Sequence, residues 1–430
     1  MRALVALSLA GLPVEALAQG LTRSDRERGR TMLRQIEHEI EKSYYDSTLK
    51  GLHLADTAAA LDTLIQHATT LAEVLTIVAR LPLALNDSHT FFLPPSQRLK
   101  AVYGWEMFMV GDSCYVERVK PNSDADRQGL RPGDLLLSVS GYAPTRQNLW
   151  LLSYLLRVLR PQTSLRVLVQ SPAGARRELN LGATVVESKN IYDLTGLNGE
   201  DVAHLIRQEE NADRERPDVL LEVGDVAVWR FPTFSTPLPE IRIRMKVVRS
   251  HRALVLDLRG NQGGLESALL TLMGQLSTED DTLGVDQERR RRTPLVTKGA
   301  RDNAFAGPLV VLVDSRSASA SEILARVVQL TRRGVVLGDR TAGAVMRSEW
   351  HSYGIGAETM VFYGVAVTTA DVVMGDGGRL EGVGVQPDTL ILPTGADLAA
   401  RRDPVLARAL AILGKPMDPA SAGSLMSRPE

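Results

Sequence analysis

Two short stretches carry residue types from which a catalytic site could be built. Asp314–Leu330 reads DSRSASASEILARVVQL, four serines within seven residues followed by an apolar, helix-forming run. One serine at a helix mouth is ordinary, because its oxygen accepts hydrogen bonds from the unpaired first-turn amides. Four exceed that need. A serine in this position also sits over the positive end of the helix dipole, which favours the negative charge that develops in acyl transfer. The second stretch, Leu254–Gly264, reads LVLDLRGNQGG, a buried strand that ends in a glycine-rich turn. Glycines there let backbone amides point into open space, toward a phosphate or an oxyanion. The turn lacks G-x-x-x-x-G-K-[ST], so a phosphate loop is set aside.

Positioning these groups requires strands whose C-terminal ends open on one crevice. Between Pro217 and Leu413 strand-like and helix-like runs alternate, the pattern of a largely parallel sheet covered by helices. In such a sheet, sites assemble at the strand C-termini. Residues 19–100 read as a helical region with a capping-box spacing at Ser24 and Glu27, ending in the extended, proline-bounded LNDSHTFFLPP. Residues 101–186 change to short strands and turns, and 187–216 read as a polar connector with a short helix. The charged insert Thr278–Arg301, with arginine at 289–292, reads as a solvated loop, and 414–430 as a flexible tail. Residues 1–18 have the form of a cleaved signal peptide: Arg2, an apolar Ala3–Leu12, and Ala16-Leu17-Ala18 as an A-x-A site. The expectation is export to the periplasm or beyond the cell.

Bulk composition narrows the function classes. The 430 residues, 44% apolar and 23% charged, suffice for two or three domains with real cores. A formal net charge of −1 provides no global field toward nucleic acid or acidic lipid. The single Cys114 excludes an intramolecular disulfide and a cysteine-based zinc site. No metal or organic cofactor is expected, no later segment is long and apolar enough to span a bilayer, and oligomeric state is left open.

Taken in order, the motifs resemble a known family. QGLRPGDLLLSVSG within 101–186 resembles the central turn of a PDZ domain, which captures an extended chain as an added strand. DLRGNQGG, VLVDSRSASASEILA, GVVLGDRTAGA, GRLEGVGVQPD and RDPVLARAL together resemble the C-terminal processing (tail-specific) serine peptidases, from about Arg26 to Leu413. The resemblance implies an α/β multidomain protein with a crotonase-like protease core and polypeptide substrates. It also implies that the nucleophile is Ser319, the middle serine of S-A-S-A-S, leaving Ser317 and Ser321 to capping and packing.

One position departs from that family. Its serine is activated by a lysine, and Ala344 stands where the lysine belongs. A serine hydroxyl without a base is a poor nucleophile. The N-D-S-H-T stretch, however, resembles the histidine-dependent tricorn-core branch of the same superfamily. That resemblance supplies His89 as general base, Ser88 as its polarising partner and Glu381 as the carboxylate that orients His89 and stabilises the imidazolium. The amide of Ala320 is the first oxyanion donor and that of Gly263 the second, with Gly264 in reserve. Asp257 and Arg259 are read as holding the strand end. The resulting expectation is an exported serine endopeptidase working through an acyl-enzyme on Ser319. The rival is an inactive homologue that keeps the core and binds peptides or apolar ligands.

Overall fold

A computed structural model of the chain describes residues 21–95, 99–187, 217–356 and 360–426. The expected signal peptide and nearly all of the connector lie outside the described residues. The described residues begin with three helices, α1 (Arg23–Ser43), α2 (Leu54–His67) and α3 (Leu71–Leu83), and then β1 (Phe91–Leu93). A β-rich unit follows: β2 (Leu99–Val102), β3 (Trp105–Val110), β4 (Ser113–Val119), α4 (Asp124–Arg127), β5 (Leu135–Val139), α5 (Leu149–Tyr154), β6 (Ser164–Gln170), β7 (Arg176–Gly182) and β8 (Thr184–Glu187). The C-terminal half contains β9 (Val219–Val223), β10 (Val226–Arg230), α6 (Leu238–Val248), β11 (Ala253–Asp257), α7 (Glu266–Leu276), β12 (Asp281–Glu288) and β13 (Arg292–Thr297). It continues with β14 (Leu309–Val313), α8 (Ala320–Leu330), β15 (Val335–Gly338), β16 (Met346–Ile355), β17 (Val361–Met374) and β18 (Thr389–Leu390). Three helices close it: α9 (Gly395–Ala399), α10 (Pro404–Ile412) and α11 (Pro419–Leu425).

The expected parallel sheet is present, in the order β18-β15-β14-β11-β10-β9 with only β9 antiparallel to its neighbour. Every residue of β11 and β14 is buried, as strands covered on both faces must be. α6, α7 and α8 cover one face through Met245, Leu269, Leu272 and Leu324, and α10 covers the other through Leu406 and Leu410. Each such fully buried aliphatic side chain contributes about 1.5–3 kcal/mol. A second, antiparallel sheet runs β1-β17-β12-β13 with β16 also on β17, and β17 shares a core with the N-terminal helices. The β-rich unit has its own five-stranded antiparallel sheet, β3 to β7 in chain order, around Val116, Val139 and Val167.

Three local expectations are corrected. The α1 capping box is Thr22 with Asp25, not Ser24 with Glu27, because Thr22 has the extended backbone of a cap (φ −83°, ψ 163°) and Ser24 lies in the first turn. The 278–301 insert is the β12–β13 hairpin: β12 pairs with β17 over Gly284–Glu288, and Leu283 and Asp286 are buried. Arg289 reaches back to the last carbonyls of α1, those of Glu41, Lys42 and Tyr44, at 3.0–3.2 Å. The supposed flexible tail forms α11, whose Ala422 is fully buried against α10. Among the described residues, no helix is long and apolar enough to cross a membrane, and no group of three or more His, Cys, Asp or Glu side chains could hold a metal ion.

Candidate active site

Adjacent strands β11 and β14 end side by side, and their terminal turns are sewn together. Asp314 accepts hydrogen bonds from the amides of Gly260 (2.8 Å), Arg316 (3.0 Å) and Ser317 (3.1 Å). Ser317 donates its hydroxyl to the Leu258 carbonyl at 2.8 Å, and Ser321 donates to the Asn261 carbonyl at 2.9 Å. Both serines are fully buried. The extra serines of the cluster therefore join the two strand ends, while Ser319, between them, stays partly exposed. Ser319 caps α8 at φ +55°, ψ −118°, a region that costs a non-glycine residue about 1–3 kcal/mol and that the surroundings must impose.

The glycine-rich turn presses against this serine. A Cβ added to Gly263, at φ +92°, would lie 2.7 Å from Ser319 Cβ and 3.1 Å from the Ala320 nitrogen. The Gly263 amide donates to Asn261 Oδ1 at 2.9 Å, so it is engaged. The Gly263 carbonyl accepts from Phe234 at 2.9 Å, and a trans peptide then aims the Gly264 N–H away from Phe234. Among the described residues, neither Gly264 N–H nor Ala320 N–H meets an acceptor. The amide of Gly263, the second donor expected from the sequence, is thus taken by Asn261 while that of its reserve, Gly264, is not; what Gly263 provides is close approach.

His89 lies in the loop between α3 and β1, and Asp87 shapes that loop. Its carboxylate, fully buried, accepts from the amides of His89 (3.0 Å) and Thr90 (2.7 Å) and from the hydroxyls of Tyr44 (2.7 Å) and Thr368 (2.8 Å). Thr368 belongs to β17, so the loop is fixed to the second sheet. Ser88 Oγ meets His89 Nδ1 at 2.7 Å and donates to Glu381 Oε2 at 2.8 Å, while the Ser88 amide donates to Glu381 Oε1 at 2.8 Å. Glu381, expected to orient His89, holds Ser88, and Ser88 meets the imidazole. Burial pushes the Glu381 carboxyl above its ordinary value, against the opposing pull of the Ser88 hydroxyl and the Val345 and Ser88 amides.

The two halves meet at one peptide group. The Ala344 carbonyl accepts from the Ser319 amide at 2.9 Å, and the Val345 amide donates to Glu381 Oε2 at 2.8 Å. Ala344 thus contributes through its backbone, with no side-chain amine. Asp257 and Arg259 do hold the strand end: Arg259 bridges Asp257 and Asp403 at 2.8–2.9 Å. Two contributors escaped sequence reading. Asn261 accepts from Gly263 and donates to the Phe231 carbonyl at 2.8 Å. Glu322, fully buried, was signalled only by its capping-box spacing from Ser319.

Comparison with known proteins locates this arrangement. Residues 225–391 match the model of peptidase family S41. The chain is 26% identical over 370 residues to a chloroplastic C-terminal processing peptidase of Tetradesmus obliquus, covering 82% of this chain and 75% of that one. It is 25% identical over 274 residues to the tail-specific protease of Haemophilus influenzae, covering 60% of this chain and 36% of that one. The crystal structure of mature CPAF superposes with a TM-score of 0.66 at 16% identity, over 87% of this chain and 94% of that one, a likeness of fold.

Proposed function

We propose that the chain, a serine-type peptidase whose residues 225–391 match the model of peptidase family S41 and which is similar to C-terminal processing peptidases, hydrolyses polypeptides through an acyl-enzyme on Ser319 with His89 as general base. The observation that carries the reading is the hydrogen-bonded series Glu381–Ser88–His89. An ionised carboxylate can only accept, so the single Ser88 hydroxyl proton points to Glu381. Ser88 Oγ must then accept from His89 Nδ1–H. That leaves the Nε2 lone pair as the base, the tautomer needed to take the Ser319 proton.

Ser319 Oγ attacks the scissile carbonyl as Nε2 takes its proton, and the oxyanion lodges at the Ala320 and Gly264 amides. The imidazolium returns the proton to the leaving amine, and water repeats the sequence to free the enzyme. On this reading the chain is of a histidine-dependent branch, with the base brought from the loop before β1 in place of a lysine at Ala344. The core is read as crotonase-like. The β-rich unit is read as a PDZ-type module taking extended polypeptide at β3, which lies at a sheet edge. Export through cleavage after residue 18 belongs to the same proposal, and N-terminal sequencing of the mature protein checks it.

The test is labelling with a fluorophosphonate probe across a pH series. Wild type is expected to label, with a rate that rises with pH through the imidazole range, and Ser319→Ala and His89→Ala to lose labelling. Loss in the serine variant alone would move the base away from His89. No labelling of folded wild type at any pH would reject the peptidase mechanism at Ser319.

A further inference from the structure

Glu322 has no part in the chemistry above, yet it holds four donors in a fully buried place. Its Oε1 accepts from Thr341 Oγ1 at 2.5 Å and the Gly343 amide at 2.8 Å. Its Oε2 accepts from the Ala344 amide at 2.9 Å and the Ser319 amide at 3.1 Å. Four donors fill a carboxylate's capacity. All are neutral, and burial still pushes the carboxyl up to about 7. A helix cap needs one such bond; the other three go to the segment 341–344.

That segment is the join between the nucleophile and the relay. The Ala344 carbonyl, which accepts from Ser319 N–H, and the Val345 amide, which donates to Glu381, are two ends of one planar peptide group. Moving one end moves the other. Thr341 Oγ1 also accepts from the Val385 amide at 2.6 Å, and the Gly382 amide donates to the Gly343 carbonyl at 2.8 Å, so the turn carrying Glu381 is tied to the same segment.

We propose that Glu322 is a positioning residue: by gripping Ser319 N–H and the Ala344 N–H of the preceding peptide on one oxygen, it braces the Ala344–Val345 peptide group from both sides and keeps the nucleophile in register with the Glu381–Ser88–His89 relay. This rests on the reading of Ser319 and His89 as partners. Glu322→Gln keeps length and volume but turns one oxygen into a donor facing donors, whichever way the amide is placed.

The experiment combines fluorophosphonate kinetics with amide hydrogen exchange on wild type, Glu322→Gln and Thr341→Val, all as full chains. The expected result for Glu322→Gln is a maximal labelling rate lower by about 10²-fold, with the half-saturating probe concentration held within about two-fold. Exchange should quicken in peptides spanning 341–345 and 381–385. Thr341→Val, which removes the Thr341 hydroxyl shared between Glu322 and Val385, should quicken the same peptides and serves if Glu322→Gln fails to fold. Unchanged exchange in both segments overturns the proposal, whatever the activity. So does quickened exchange with full labelling. Quickened exchange in a protein whose wild type never labels would reject the Ser319–His89 chemistry while leaving the mechanical coupling standing.

Discussion

At the scale of single residues, the site depends on groups that do no chemistry. Gly263 is the clearest case, because nothing but hydrogen fits between its Cα and the Ser319 side chain. In Gly263→Ala the new methyl would stand 2.7 Å from Ser319 Cβ and 3.0 Å from the Ala318 carbonyl, at a φ of +92° that alanine resists. The serine must shift, and a displacement near 1 Å costs on the order of 10²-fold in rate. Fluorophosphonate labelling should fall by about that factor. A variant that labels at the wild-type rate would mean the turn does not bear on the nucleophile. Gly263 was visible in the sequence, but with the wrong role. G-N-Q-G-G says that amides are exposed there; only the geometry shows that Asn261 takes the Gly263 amide and leaves that of Gly264.

At the scale of elements, the strand–helix alternation after Pro217 predicted the parallel sheet, and the order of motifs located the strand ends that carry Ser319 and the glycine turn. What stayed hidden depended on partners distant in sequence. The 278–301 insert looked like a loop because its arginines dominate the composition, yet β17, some 90 residues on, gives it a strand to pair with, as an ordinary hairpin requires for stability. The residues after Pro416 looked loose because Ala422 gives no apolar periodicity until α10 lies beneath it. The end of β11 was read correctly, since D-L-R places two opposite charges at the close of a buried strand. Its energetics can be tested. Arg259 lies between Asp257 and Asp403 with its side chain 13% exposed, and Asp257 is wholly buried. Arg259→Met strands the Asp257 carboxylate without its main counter-charge, so thermal unfolding should show a loss of about 3–5 kcal/mol. A loss under about 1 kcal/mol would mean the network is not what holds this strand end.

At the scale of the whole molecule, the β-rich unit touches both halves of the site. The β3–β4 hairpin packs against the loop before Ser319. Arg316, three residues upstream of Ser319, grips Glu117 at 2.6 and 2.5 Å and lies over the Phe108 ring, and Ser315 Oγ donates to the Met109 carbonyl at 2.6 Å. Arg146 pairs with Asp339 at 2.5 Å and donates to the Gly111 and Arg340 carbonyls, at the start of the segment that leads to Ala344. On the other side, Tyr154, Leu155 and Leu159 share a core with Phe92 and the helices that carry the His89 loop. Excising Ala101–Val186 therefore cannot be a clean removal: it opens the N-terminal core and takes Glu117 from Arg316 and Arg146 from Asp339. Activity and stability should fall together. Glu117→Ala separates the two, because it loosens the docking while every apolar contact of the unit remains. Its partner Arg316 is mostly covered, so a stability loss of about 2 kcal/mol is expected. If docking holds base and nucleophile in register, the labelling rate of Glu117→Ala should drop in samples that remain fully folded. A folded variant that labels like wild type would confine the unit to polypeptide capture, with no hold on the chemistry at Ser319.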